Sequence, residues 1–220
     1  MCGIVGYTGP HPALNNLIEG LRRLEYRGYD SAGIALGTSN KLFVEKRAGK
    51  LSNLEAAIKD VPDANSGIGH TRWATHGGPT DRNAHPHLDN EGKLAVIHNG
   101  IIENYVELRK ELEKRGHKFT SETDTESVAH LLSDARKANN GDLAAAMRDV
   151  CKELRGSFTL LAIHADEPDR IVGARRNSPL VVGVGEGENF LASDVAAFIS
   201  HTKKALELGQ DEVADITSKS

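Results

Sequence analysis

The hydrophobic period changes twice along this chain, and that order narrows the folds open to it more than any other feature. Gly3 to Gly9 is short, apolar and punctuated by glycine, as a buried strand is. Leu14, Leu17, Ile18, Leu21 and Leu24 then recur at helical spacing, and Gly28 stops that helix. Ala32–Leu36 and Lys41–Lys46 read as a hairpin across Gly37 to Asn40. A short helix is expected over Leu51 to Lys59, capped by Ser52 or Asn53. Strands follow at Gly67–Trp73 and Lys93–His98, separated by a polar loop from Thr75 to Gly92.

Three helical stripes come next: Tyr105–Leu112, Val128–Ala135 and Met147–Leu154. From Ser157 the pattern is strand-like again, over 158–163, 170–174, 180–184, 189–192 and 212–216. Hairpin-like spacings without strict βαβ alternation argue against a doubly wound parallel sheet. They favour antiparallel sheets stacked on each other and covered by helices, an α+β layered architecture.

With 220 residues and no internal repeat or long linker, a single domain over 1–220 is the simplest account. A net charge of −4, with basic and acidic residues interspersed, offers no electrostatic case for nucleic acid. No apolar run approaches the ~20 residues of a membrane span. No basic segment leads into an apolar one at the start, so a cytoplasmic protein with reduced thiols is expected. Of the two cysteines, Cys151 lies on an apolar helical stripe and reads as core.

Cys2 is different, because removal of Met1 would place a free amine and a thiol on one residue. An α-amine ordinarily titrates at about 7.7–8.0, so it can serve as base for its own nucleophile. Arg72 beside Trp73, followed by the turn Gly77-Gly78, suits either an anion clamp on a mobile loop or a stacked surface pair. Asn99-Gly100 offers two adjacent N–H donors, as an oxyanion hole needs, and is equally a common hairpin turn. Asp124 stands where it could cap the following helix or receive an ammonium. The ten histidines lack the HExxH or CxxC spacings of a zinc enzyme, so no metal and no organic cofactor is expected. A binding module with a blocked terminus is the non-enzymatic alternative.

Taken together, Met1–Gly6, Leu24–Gly33, His70–Gly77, Asn83–His87, His98–Asn104 and Ser121–Glu126 resemble the glutaminase domain of the glucosamine-6-phosphate synthase family. That family belongs to the class II, N-terminal-nucleophile glutamine amidotransferases. The resemblance continues through Arg175–Leu180 and Glu188–Asp194. It implies a four-layer αββα sandwich and glutamine hydrolysis to glutamate and ammonia through a thioester. Cys2 would be the nucleophile, with Asn99 and Gly100 as the oxyanion hole. Arg72 would bind the α-carboxylate of L-glutamine, and Asp124 its α-amine. Trp73, Thr75 and His76 would line and close the pocket, and Arg27 would support the nucleophile. Nothing in the chain corresponds to the family's sugar-isomerase domains. The resemblance therefore implies a domain cut from a longer, homo-oligomeric protein that makes amino sugars.

Overall fold

The computed structural model describes residues 2–28 and 30–220. Met1, whose removal the sequence reading requires, and Tyr29 lie outside the described residues. The chain opens with β1 (Gly3–Thr8), α1 (Ala13–Leu24), β2 (Ser31–Thr38), β3 (Lys41–Ala48), α2 (Leu51–Ala57) and β4 (Ser66–Arg72). Next come β5 (His87–Leu88), β6 (Leu94–Ile102), α3 (Tyr105–Lys114), α4 (Thr125–Ala138) and α5 (Leu143–Glu153). It closes with β7 (Gly156–His164), β8 (Glu167–Arg176), β9 (Val181–Val184), β10 (Asn189–Ala192), β11 (Ala205–Glu207) and β12 (Val213–Ile216).

The strands form two antiparallel sheets, one of seven in the order β11-β9-β10-β1-β4-β2-β3 and one of five in the order β12-β8-β7-β6-β5. Side-chain alternation then builds three apolar layers. Val5 and Tyr7 of β1 join Leu17 and Leu21 of α1 on one face of the larger sheet. Ile4, from the same strand, points the other way and meets Ile97, Leu161 and Ile171 of the smaller sheet. On the far side, Val96 and Leu160 pack under Leu132, Met147 and Val150 of α4 and α5. The result is the expected α+β sandwich, helix–sheet–sheet–helix. Both faces of the central strands are covered, so β1 and β4 are buried throughout, the polar residues of β4 included.

Two local expectations are corrected. The helix over 51–57 starts directly after Lys50, so Ser52 and Asn53 lie inside it and do not cap it. The Asn53 amide instead donates back to the Ala48 carbonyl at 3.0 Å. More important for function, Asn99-Gly100 is no hairpin turn. Strand β6 continues through it to Ile102, pairing Asn99 with Thr159 and Gly100 with Phe158.

Sheet register brings the start of the chain to the site. Antiparallel β1 and β4 pair Gly3 with Thr71, so the residue before β1 sits beside the residues leaving β4. A Cβ on Gly3 would fall 2.6 Å from Thr71 Oγ1 and 2.9 Å from Leu24 Cβ, so only glycine allows this approach. The Gly3 N–H donates to Thr71 Oγ1 at 3.2 Å, and the Ile4 N–H to Ser193 Oγ at 3.1 Å.

Candidate active site

Cys2 is partly buried at the rim of a cavity of about 380 Å³, a volume suited to a small amino acid. The Trp73 N–H donates to its sulfur at 3.1 Å, and the thiol lies 3.6 Å from the Trp73 carbonyl oxygen. Burial pushes the thiol up from its ordinary value and outweighs the stabilisation that the Trp73 N–H offers the thiolate. Left to itself this sulfur is therefore a protonated thiol near neutral pH, and it needs a base.

Arg72, the last residue of β4, lines the same cavity and is only 4% exposed. Its guanidinium donates to the carbonyls of His76, Gly77 (3.2 Å) and Gly78 (3.4 Å), so it shapes the glycine turn that follows it. Trp73 and Thr75 line the cavity from that segment, Trp73 remaining 54% exposed at its edge. The segment is also tied to the β1–β2 connection, where the Ala74 N–H donates to Asp30 Oδ2. His76 is not on the cavity wall: its ring stands edge-on to Tyr105 at 5.1 Å. What it presents to Arg72 is its carbonyl.

On the facing sheet, Asn99 and Gly100 line the cavity from β6. The Asn99 amide donates from Nδ2 to the Cys2 carbonyl at 2.8 Å, and its Oδ1 lies 2.8 Å from His70 Nε2. An Asn amide carries two N–H bonds, so one remains after the contact with Cys2. Gly100 has φ +124°, and a Cβ there would lie 2.0 Å from the Ser157 carbonyl oxygen. No other residue can hold this backbone while β6 stays paired with β7.

Asp124 completes the wall from the start of α4. It stands at the cap position yet makes no side-chain cap bond. Its Oδ2 instead accepts from the Ile102 N–H at 2.8 Å, fixing the carboxylate to the end of β6. The cavity thus carries a guanidinium and a carboxylate on its wall, an arrangement that suits an α-carboxylate and an α-ammonium. Arg27 also lines it, pairing with Asp194 and donating to the Tyr26 hydroxyl at 3.1 Å.

Sequence reasoning on spacing did not find Ser157, Ser178 or Ile101 on the cavity wall, nor the part taken by His70. His85 stacks between His70 (centroids 4.3 Å apart) and His98 (6.5 Å), and meets His87 edge-on at 4.9 Å. Burial pulls His70 down to about 3 and lowers the other three, so this stack is neutral. Among the described residues, no three His, Cys, Asp or Glu side chains converge as metal ligands.

A protein-family model described as a glutamine amidotransferase domain matches residues 70–200. This chain belongs to that family. Over 98% of its length the amidotransferase domain is 66% identical to the isomerizing glutamine–fructose-6-phosphate aminotransferase of Streptomyces coelicolor. Over 99% it is 60% identical to that of Corynebacterium glutamicum. It covers 35% and 36% of those two proteins, so it spans about a third of the length of these curated relatives. Among solved structures, it matches glutamine phosphoribosylpyrophosphate amidotransferase from B. subtilis, complexed with ADP and GMP. The TM-score is 0.84 at 27% identity, over 99% of this chain and 48% of that one. The amidotransferase domain thus has the fold of the N-terminal-nucleophile amidotransferases.

Proposed function

We propose that this domain hydrolyses L-glutamine to L-glutamate and ammonia through a thioester on Cys2. The observation that carries the reading is the single cavity faced by the Cys2 thiol, two donor residues, a guanidinium and a carboxylate. Arg72 takes the substrate α-carboxylate and Asp124 its α-ammonium, which leaves the side-chain amide toward Cys2. With Met1 removed, the Cys2 amine takes the thiol proton and the thiolate attacks the amide carbon. The Asn99 amide and the Gly100 N–H hold the oxyanion. The C–N bond then breaks, and ammonia leaves with the proton returned by the amine. Water, activated by the same amine, attacks the thioester, releasing glutamate and restoring the thiol. Trp73 and Thr75 cover the substrate, His76 holds the turn through its carbonyl, and Arg27 braces the nucleophile's surroundings. No metal or organic cofactor enters these steps.

The domain is read as one unit over residues 1–220, working as the glutaminase part of an isomerizing glutamine–fructose-6-phosphate aminotransferase. In that setting fused sugar-isomerase domains would use the ammonia to turn fructose 6-phosphate into glucosamine 6-phosphate. The whole enzyme would be cytoplasmic and homo-oligomeric. No helix among the described residues is long and apolar enough to cross a membrane. The test is glutamate and ammonia release by the purified domain beside Cys2→Ala. Equal release of the two products by the wild type and none by Cys2→Ala is expected. Undiminished release by Cys2→Ala overturns the reading.

A further inference from the structure

The glutaminase steps leave the buried side chain of His70, in contact with Asn99, unused. His70 is 1% exposed in the middle of the larger sheet, where β4 pairs it with Ile4 on one side and Gly33 on the other. Its ring reaches across to the smaller sheet, with Nε2 at 2.8 Å from Asn99 Oδ1. We infer that His70 is a positioning residue, whose Nε2–H holds the Asn99 amide so that one N–H faces the reacting carbonyl.

The proton positions follow from chemistry. The Cys2 carbonyl oxygen can only accept, so the Asn99 atom 2.8 Å from it is the amide nitrogen. The other amide atom, facing His70, is then the oxygen, and it can only accept as well. His70 must donate, and the proton must sit on Nε2. Its Nδ1 is buried and makes no hydrogen bond of ordinary geometry among the described residues. The Asn99 side chain and the His98 backbone favour a protonated ring, but burial outweighs them, the His98 and Arg72 charges oppose it, and no anion faces it, so the ring stays neutral.

Two consequences reach the reaction. Donation into Oδ1 polarises the amide and makes its N–H bonds stronger donors. It also satisfies a carbonyl that would otherwise be buried and unpaired. Without the donor, the Asn99 side chain gains by turning its oxygen toward water in the cavity, which takes its N–H off the oxyanion. Because Arg72 and Asp124 are untouched, the loss falls on turnover and not on glutamine binding.

This inference rests on the glutaminase reading, and the experiment separates the two. Steady-state kinetics are compared for wild type, Cys2→Ala, His70→Phe and His70→Gln. His70→Phe keeps the ring without the donor and should lower kcat about tenfold or more, with the glutamine KM within about twofold. His70→Gln places an N–H near the former Nε2 and should recover most of the loss. Its kcat–pH profile should keep the wild-type shape, since His70 moves no proton. In wild type, ¹⁵N imidazole shifts should report a neutral Nε2–H tautomer through the acid range in which the protein stays folded. This readout decides the matter if His70→Phe does not fold. A His70→Phe kcat within about twofold of wild type overturns the inference, as do a loss confined to KM, no rescue by Gln, or an Nδ1–H tautomer. Wild type no more active than Cys2→Ala would instead overturn the glutaminase reading.

Discussion

The Trp73 backbone N–H donates to the Cys2 sulfur across 71 residues of sequence, at 3.1 Å. The bond exists because β1 and β4 run antiparallel, with the start of one beside the end of the other. It ties the Cys2 thiol to the segment that leaves β4, whose Arg72, Trp73 and Thr75 line the cavity. A shift in this segment is therefore felt at the thiol as well as at Arg72, the proposed carboxylate contact.

Arg72→Lys tests the carboxylate contact. Lysine keeps the charge and loses the two-pronged grip. It also loses the bonds to the Gly77 and Gly78 carbonyls. Loss of one charged hydrogen bond, about 1.5–3 kcal/mol, should raise KM by about tenfold to a hundredfold. Limited proteolysis should cut the 73–80 segment faster. An unchanged KM with a lowered kcat would remove Arg72 from the carboxylate role.

Asn99→Asp addresses the oxyanion hole. A carboxylate would face the Cys2 carbonyl, 2.8 Å from the present amide nitrogen, and oppose the negative charge that must form. A fall in kcat of at least about 10²-fold is expected. The residue lies inside β6 and not at a turn, so stability should drop as well, by about 1–3 kcal/mol in urea unfolding. A variant turning over glutamine within a few-fold of wild type would sink the assignment.

Glu126 gives a pH dependence of known sign. Burial pushes its carboxyl up, but His130, Ser121 and the Thr120 N–H outweigh this and hold it well below the carboxylate range. Its oxygens accept from the Ser121 hydroxyl at 2.6 Å and from the Ser121 and Thr120 N–H groups at 2.7 and 2.8 Å. These bonds shape the loop that presents Asp124. The folded carboxyl loses its proton more readily than the unfolded one. Its contribution is therefore complete above the unfolded value of about 4.3 and declines as pH falls below it. Glu126→Gln should cost about 1–3 kcal/mol at pH 7, and the gap to wild type should narrow toward pH 3. A gap that widens on acidification would contradict the assignment.

What the sequence revealed follows from where each signal resides. The strands β2, β6 and β7 were legible because burial on both faces leaves apolar runs, whereas β4 buries Ser66, His70, Thr71 and Arg72 among its glycines. Strands β5, with two residues, and β11, with three, are too short to show a period. Asn99-Gly100 ends an apolar run with the strongest short turn signal. Only pairing with β7, invisible in the local sequence, shows that the strand continues. Of the residues expected at the site, all but His76 line the cavity. His76 meets Arg72 through its backbone carbonyl, a contact that any residue could make and no sequence pattern marks. The contact between His70 and Asn99 spans 29 residues and joins two sheets, so no spacing rule could announce it.

The most direct test of the account is intact-mass analysis of the domain, acid-quenched during glutamine turnover. The account predicts that the Met1-free chain gains one γ-glutamyl group, that peptide mapping places it on Cys2, and that Cys151, 7% exposed, carries none. It also predicts no adduct on a chain that retains Met1, whose Cys2 lacks the free amine. Turnover with no adduct on Cys2, together with undiminished hydrolysis by Cys2→Ala, would contradict it.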